Sequence, residues 1–160
     1  MIDSPQVPES VWDYPRPPKL EESSLAVRVE FEGIMIARSE RTYRLLETSH
    51  PPVFYIPWED LEQCYFHHTA HRTFCEWKGI AHYYSIQIGD RISENAAWCY
   101  PDPTPAFSLI QNYVAIYPSR VDSCWVGDEK VTPQEGDFYG GWITRNLVGP
   151  FKGGLGTFGW

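Results

Sequence analysis

Between Leu25 and Glu32 the apolar side chains of Leu25, Val27, Val29 and Phe31 alternate with Ala26, Arg28, Glu30 and Glu32. A period of two sends every other side chain to one face of an extended chain, so this run is a half-buried strand. Gly33 then turns into Ile34-Met35-Ile36-Ala37, and the pair reads as a hairpin. The same punctuation recurs downstream. Pro52-Val53-Phe54-Tyr55-Ile56 is a strand stopped by Pro57, with Trp58-Glu59-Asp60-Leu61-Glu62 as one helical turn. Residues 81–88 and 92–100 flank Gly89-Asp90-Arg91, a further hairpin signal. A three-residue loop there matches Ile88 with Ile92, Tyr84 with Ala96 and His82 with Trp98. That is a better apolar register than the two-residue loop, which sets Gln87 opposite Ile92. One short helix is expected after Pro101-Asp102-Pro103, with Thr104 as N-cap, Pro105 at N1, and Ala106, Leu109, Ile110 and Tyr113 on one face. Residues 121–126 make a last strand, ended by Gly127-Asp128. Many short strands with a single short helix predict a mostly β, antiparallel domain.

A chain of 160 residues suits one such domain and buries enough surface for a core without metal or disulfide staples. Three parts are expected: a Pro-rich extended arm over 1–24, a β domain over 25–126, and a Gly- and ring-rich tail over 127–160 that packs on the domain. Pro15-Arg16-Pro17-Pro18 holds the arm extended. Aromatic residues make up 16% of the chain, with 7 Trp and 10 Tyr, so the core is expected to be built around rings. The net charge of -8 argues against a nucleic-acid partner, which needs a basic stripe to release counterions. No apolar run approaches the roughly 18 residues of a membrane span. Met1-Ile2-Asp3-Ser4-Pro5 has neither the basic nor the apolar region of a secretion signal, and a soluble, cytoplasmic chain is the expectation. Cys64, Cys75, Cys99 and Cys124 form no C-x-x-C pair, so free structural thiols are expected.

Few motifs carry chemistry. Gly154-Leu155-Gly156-Thr157-Phe158-Gly159 matches a dinucleotide fingerprint by letters, but only Trp160 follows it, and that chemistry needs a helix N-terminus. No phosphate-binding loop or nucleophile elbow occurs, and no cofactor is implied. His67, His68 and His71, between Cys64 and Cys75, are the densest run of metal-binding side chains. Their spacing matches no zinc module, and histidines at the tip of an exposed loop explain them without metal. Thr73-Phe74-Cys75-Glu76-Trp77-Lys78-Gly79 sets a thiol, a carboxylate, a ring and an amine within five positions. A positive field from Lys78 would activate Cys75, whereas a buried thiol with Lys78 reaching water is the structural alternative. Gly79 is expected at a positive φ or a close backbone approach. Glu47, just before a buried strand, suits a general base or a partner for Arg44 or Lys78. Tyr55, Trp77, His82, Tyr84, Trp98 and Tyr100 are the candidate walls of a ligand pocket, since His82, Tyr84, Trp98 and Tyr100 share a hairpin face in the three-residue register.

Four segments together resemble the bacterial domain-of-unknown-function family 427. They are Leu46-Glu47-Thr48-Ser49-His50-Pro51-Pro52-Val53-Phe54-Tyr55-Ile56-Pro57, Thr73-Phe74-Cys75-Glu76-Trp77-Lys78-Gly79-Ile80-Ala81, Trp98-Cys99-Tyr100-Pro101-Asp102-Pro103 and Tyr113-Val114-Ala115-Ile116-Tyr117. The arm from Val11 to Pro18 and the glycine-rich tail resemble the longer members. The resemblance implies a small antiparallel domain of the tent-like (Mss4-like) kind, an architecture also used by zinc-bearing chaperone, reductase and aromatic-cage ligand domains. Their zinc-binding C-x-x-C pairs are absent here, so no structural zinc follows. Glu76 stands where the family often has Pro, and the His67-His68-Thr69-Ala70-His71 run matches no family feature. The nucleotidyltransferase-like label attached to the family finds no D-x-D or donor-loop pattern in this chain.

Three functions follow as expectations. The first is a module that binds a small planar or polar molecule in the aromatic-lined pocket. The second is a transferase or hydrolase using Cys75, Lys78, Glu47 or His82. The third is an interaction domain that docks a partner, or a second copy as a homodimer, through its arm and tail.

Overall fold

The computed structural model describes residues 7–136 and 138–160. The reading of the first five residues lies outside that range. The chain runs β1 (Glu9–Ser10), β2 (Lys19–Ser23), β3 (Val27–Phe31), β4 (Ile34–Ser39), β5 (Thr42–Leu46), β6 (Val53–Pro57), β7 (Phe66–Cys75), β8 (Gly79–Ile88), β9 (Arg91–Cys99), β10 (Tyr113–Ile116), β11 (Ser123–Val126), β12 (Glu129–Lys130), β13 (Thr132–Pro133), β14 (Trp142–Ile143) and β15 (Leu147–Val148). A seven-stranded antiparallel sheet has the order β2-β5-β6-β10-β9-β8-β7, and a four-stranded one β12-β11-β3-β4. The domain is mostly β, as the alternation at 25–32 requires.

The core between the two sheets holds Val27, Val29 and Phe31 from the smaller sheet against Phe54, Ile56, Ile86, Val114 and Ile116 from the larger. The larger sheet is covered on its other face too. There Leu45, Val53, Tyr55, Ala81, Tyr83, Trp98, Tyr100, Ala115 and Tyr117 pack under Phe107 and Ile110. This double burial explains why β6 is apolar at every position instead of alternating. The arm supplies an edge: Lys19–Ser23 pairs in register with Thr42–Leu46. Arg44, buried in β5, is held there by Glu9 at 3.1 Å and Glu21 at 2.6 Å.

The tail crosses the body through Trp142, which is fully buried. Its ring lies 4.9 Å from that of Phe54, and its indole N–H donates to the Ile116 carbonyl at 3.2 Å. Arm and tail also meet each other. The Trp12 indole donates to the Pro150 carbonyl at 2.8 Å, and its ring meets that of Trp160 edge-on.

Two local expectations are corrected. The segment Pro105–Ile110 forms 3-10 turns broken at Phe107, not a regular helix, and Tyr113 belongs to β10. Thr104 sits at the cap position, but its hydroxyl donates to the Trp77 carbonyl instead of capping. The β8–β9 hairpin takes the two-residue turn: Gln87 faces Ile92 and Ile88 faces Arg91. Gly89 supplies the positive φ of 58° that such a turn needs. Ile92 is left 54% exposed, so apolar matching did not decide this end. A bulge around Asn95 (φ 49°), pinned by Ser85 and Thr69, then resets the ladder so that Tyr83 opposes Trp98 and His82 opposes Cys99.

Candidate functional site

The two-residue turn decides which rings share a face: with Gln87 opposite Ile92, Tyr83 falls on the side of Trp98, and the bulge shifts the pairing by two residues without changing sides. On β8, Ala81 and Tyr83 point to the outer core with Trp98, whereas Tyr84 and Ile86 point to the inter-sheet core. His82 and Tyr84 therefore do not join Trp98 and Tyr100, which corrects the face expected from the three-residue register. Tyr84 stacks on Trp58 at 5.4 Å and has His68 at 4.3 Å. It lines a cavity of about 420 Å³ with Glu59, Cys99 and Tyr113. His82 lies outside that wall, with Arg72 and His68 near it.

The remaining candidates converge on the opposite face. Glu47, Tyr55, Cys75, Trp77, Lys78, Trp98 and Tyr100 all line one cavity of about 240 Å³. Each arrives by a different local device. Tyr55 and Trp98 project from the central strands β6 and β9. Cys75 closes β7 opposite Gly79, and Glu76-Trp77-Lys78 make the turn between them. Gly79 has φ 109°, and a Cβ there would come to 3.3 Å from the Asp102 carbonyl, so both reasons expected for a glycine hold. That approach lets Thr104 grip the turn. Its N–H donates to the Lys78 carbonyl at 3.1 Å while its hydroxyl holds Trp77. Glu47 lies on the loop after β5, 3.9 Å from Arg16 of the arm.

Among the wall residues that sequence reasoning missed, three carry polar groups from the loop and the tail. His50 follows Glu47 on the same loop, and Tyr139 and Lys152 come from the tail. The His50 ring contacts the Thr48 carbonyl through Nδ1 at 3.0 Å and meets Tyr139 at 4.9 Å. Lys152 stands over the Tyr139 ring at 5.4 Å. Tail glycines carried the signal, because a Cβ on Gly140 would come to 2.7 Å from the Trp98 ring. Only a bare backbone can pass there.

Electrostatics favour neutral groups. Burial pushes the Lys78 amine below its ordinary value, against the pull of Cys75, Glu47 and Tyr83. The ammonium also faces the Tyr100 ring at 5.5 Å. Burial likewise lowers His50, opposed by Glu47 and helped by Lys152 and Arg16. It raises the phenols of Tyr55 and Tyr100, which stay protonated. The Tyr55 hydroxyl is completely buried and makes no well-formed hydrogen bond among the described residues, with the Trp98 side chain its neighbour and edge-on to its ring. An orphaned hydroxyl of this kind costs about 1–3 kcal/mol.

The histidine run does not gather. His68 packs on Tyr84 and His71 on Tyr83, which lie on opposite faces of the sheet. Among the described residues, no three His, Cys, Asp or Glu side chains come together to hold a metal ion. All four cysteines are free thiols.

The family model described as "Domain of unknown function (DUF427)" matches residues 19–127. The chain belongs to this family. The DUF427 match begins at the edge strand β2, so residues 19–24 of the arm lie inside it, while Tyr139 and Lys152 lie beyond it. No curated protein matches the chain. No helix among the described residues is long and apolar enough to cross a membrane.

Proposed function

We propose that this DUF427 domain binds a small aromatic molecule in the cavity walled by Tyr55, Trp77, Trp98 and Tyr100. The observation that carries the reading is convergence. Rings from three separate stretches, Tyr55, Trp77 and Trp98 with Tyr100, meet an amine, a thiol and a carboxylate around one space of about 240 Å³, with the buried Tyr55 hydroxyl in its wall. Ring walls with a few polar groups are how pockets hold planar ligands. The larger cavity beside Tyr84 carries Glu59, His68 and Cys99 among its rings but no amine. A thermal-shift screen of small aromatic compounds tests the reading. A ligand at 100 times its Kd stabilises by about 2.7 kcal/mol. Hits are expected to lose their effect in Trp77→Ala and keep it in His82→Ala, on the other face. Hits indifferent to Trp77→Ala would contradict the reading.

A second reading, an enzyme of transferase or hydrolase type, is favoured by Lys78 lying beside Cys75 and Glu47 with its amine shifted toward neutrality. A compound recovered chemically altered after incubation, and intact with Lys78→Met, would select this reading.

A further inference from the structure

We propose that Lys78 captures the ligand of this cavity through a carbonyl group, as a Schiff base. The inference rests on the pocket reading above and adds the chemical class, an aromatic aldehyde or ketone. The chain has four lysines, and they are placed very differently. Lys19 and Lys130 are exposed on the outer edges of the two sheets. Lys152 stands over the Tyr139 ring at the tail side of the cavity. Lys78 alone is carried by a pinned turn into the ring-lined wall, with Tyr100 against it and no carboxylate within ion-pair distance among the described residues. Amines set among rings are nucleophiles because partial burial disfavours the ammonium.

The step balances without an external reagent. The neutral Nζ of Lys78 attacks the carbonyl carbon, an N–C bond forms, and the carbonyl electron pair moves to oxygen, which takes up a proton. The nitrogen then gives up a proton, the hydroxyl leaves as water after protonation, the C=N bond forms as an iminium, and the iminium nitrogen releases its second proton. Lysine and aldehyde give imine and one water. Glu47, on the same cavity wall, is the carboxyl that passes these protons.

The test uses the full chain, benzaldehyde and cyanoborohydride, which reduces the imine to a stable benzylamine, followed by peptide mapping. Benzyl alcohol, of the same shape without the carbonyl, is the control. Labelling of Lys78 is expected at least about tenfold faster than that of Lys19 or Lys130. Prior benzyl alcohol should slow it, and Glu47→Gln should slow capture. Cys75→Ser should still be labelled. Equal labelling of all four lysines, or preferential labelling of Lys152, overturns the proposal. If benzyl alcohol binds at the Trp98 and Tyr100 rings while Lys78 labels no faster than Lys19, the Schiff base fails and the pocket reading survives. If benzyl alcohol binds only elsewhere, the pocket reading fails as well.

Discussion

Replacing Trp142 with alanine removes the one ring by which the tail enters the inter-sheet core. The indole is fully buried against Phe54 and its N–H satisfies the Ile116 carbonyl. A buried Trp→Ala change costs about 3–5 kcal/mol. Leaving the Ile116 carbonyl without its donor adds about 1 kcal/mol. A total of about 4–6 kcal/mol is a large share of the roughly 5–15 kcal/mol that holds a domain together. For a chain of this length it corresponds to a fall in Tm of roughly 8–24 °C. Trp142→Phe, which keeps a ring and loses the donor, should cost about 1–2 kcal/mol. Urea unfolding followed by circular dichroism reads both. The loss should reach the cavity too, because Trp142 anchors the strand that follows Tyr139 and Gly140, and Gly140 rests on the Trp98 ring. An alanine variant within about 1 kcal/mol of the parent would refute the reasoning, since the tail would then be an ornament of the fold.

Three further outcomes are expected. Gly79→Ala sets a Cβ on a residue at φ 109° and 3.3 Å from the Asp102 carbonyl, and should cost about 1–3 kcal/mol in urea unfolding while loosening the Trp77-Lys78 turn. His50, lowered in the folded chain by burial, makes the unfolded state the better proton binder below its ordinary value of 6.5. Unfolding free energy should therefore fall as pH drops from about 7 to about 5, with Glu47, Lys152 and Arg16 setting how far, and His50→Gln should flatten that slope. Lys78 is also lowered by burial, so its contribution improves as pH rises toward 10.5. Lys78→Met should be more stable than the parent near pH 7, with the gap narrowing in alkali, as thermal melts across pH would show.

Strands were legible wherever one face meets water. The alternation at 25–32 and the glycine at 33 carry enough information to mark β3 and β4, and Pro57 ends β6 as its chemistry dictates. The β8–β9 register was not legible. A hairpin ladder was assumed continuous, and nothing local marks Asn95 as the bulge that shifts the pairing between Tyr84 and Ile86. The two-residue turn, not the bulge, put His82 and Tyr84 off the face of Trp98, because the bulge shifts the pairing by two and keeps each side chain on its side. Thr104 failed as a cap for a related reason: its hydroxyl is spent on a turn 27 residues earlier in the chain, a contact no local pattern reveals. The candidate site fared better at its chemical groups. Cys75 and Lys78 are close in sequence and were grouped by spacing alone, and Glu47 was singled out for standing before a buried strand. Their meeting with Trp98 and Tyr100 depends on sheet order. Tyr139 and Lys152 reach the cavity only because the tail folds back, which glycines at 140 and 141 permit but do not announce.

The most direct measurement of the central claim is a protein-observed NMR titration with a pool of small aromatic compounds. The two cavities lie on opposite faces of the larger sheet, so the shifted signals report which one is used. The account predicts perturbations grouped at Tyr55, Cys75, Trp77, Lys78, Trp98 and Tyr100, with Tyr84 and Trp58 unmoved. Perturbations grouped at Trp58, Tyr84 and Tyr113, with Lys78 and Trp98 unmoved, would contradict it.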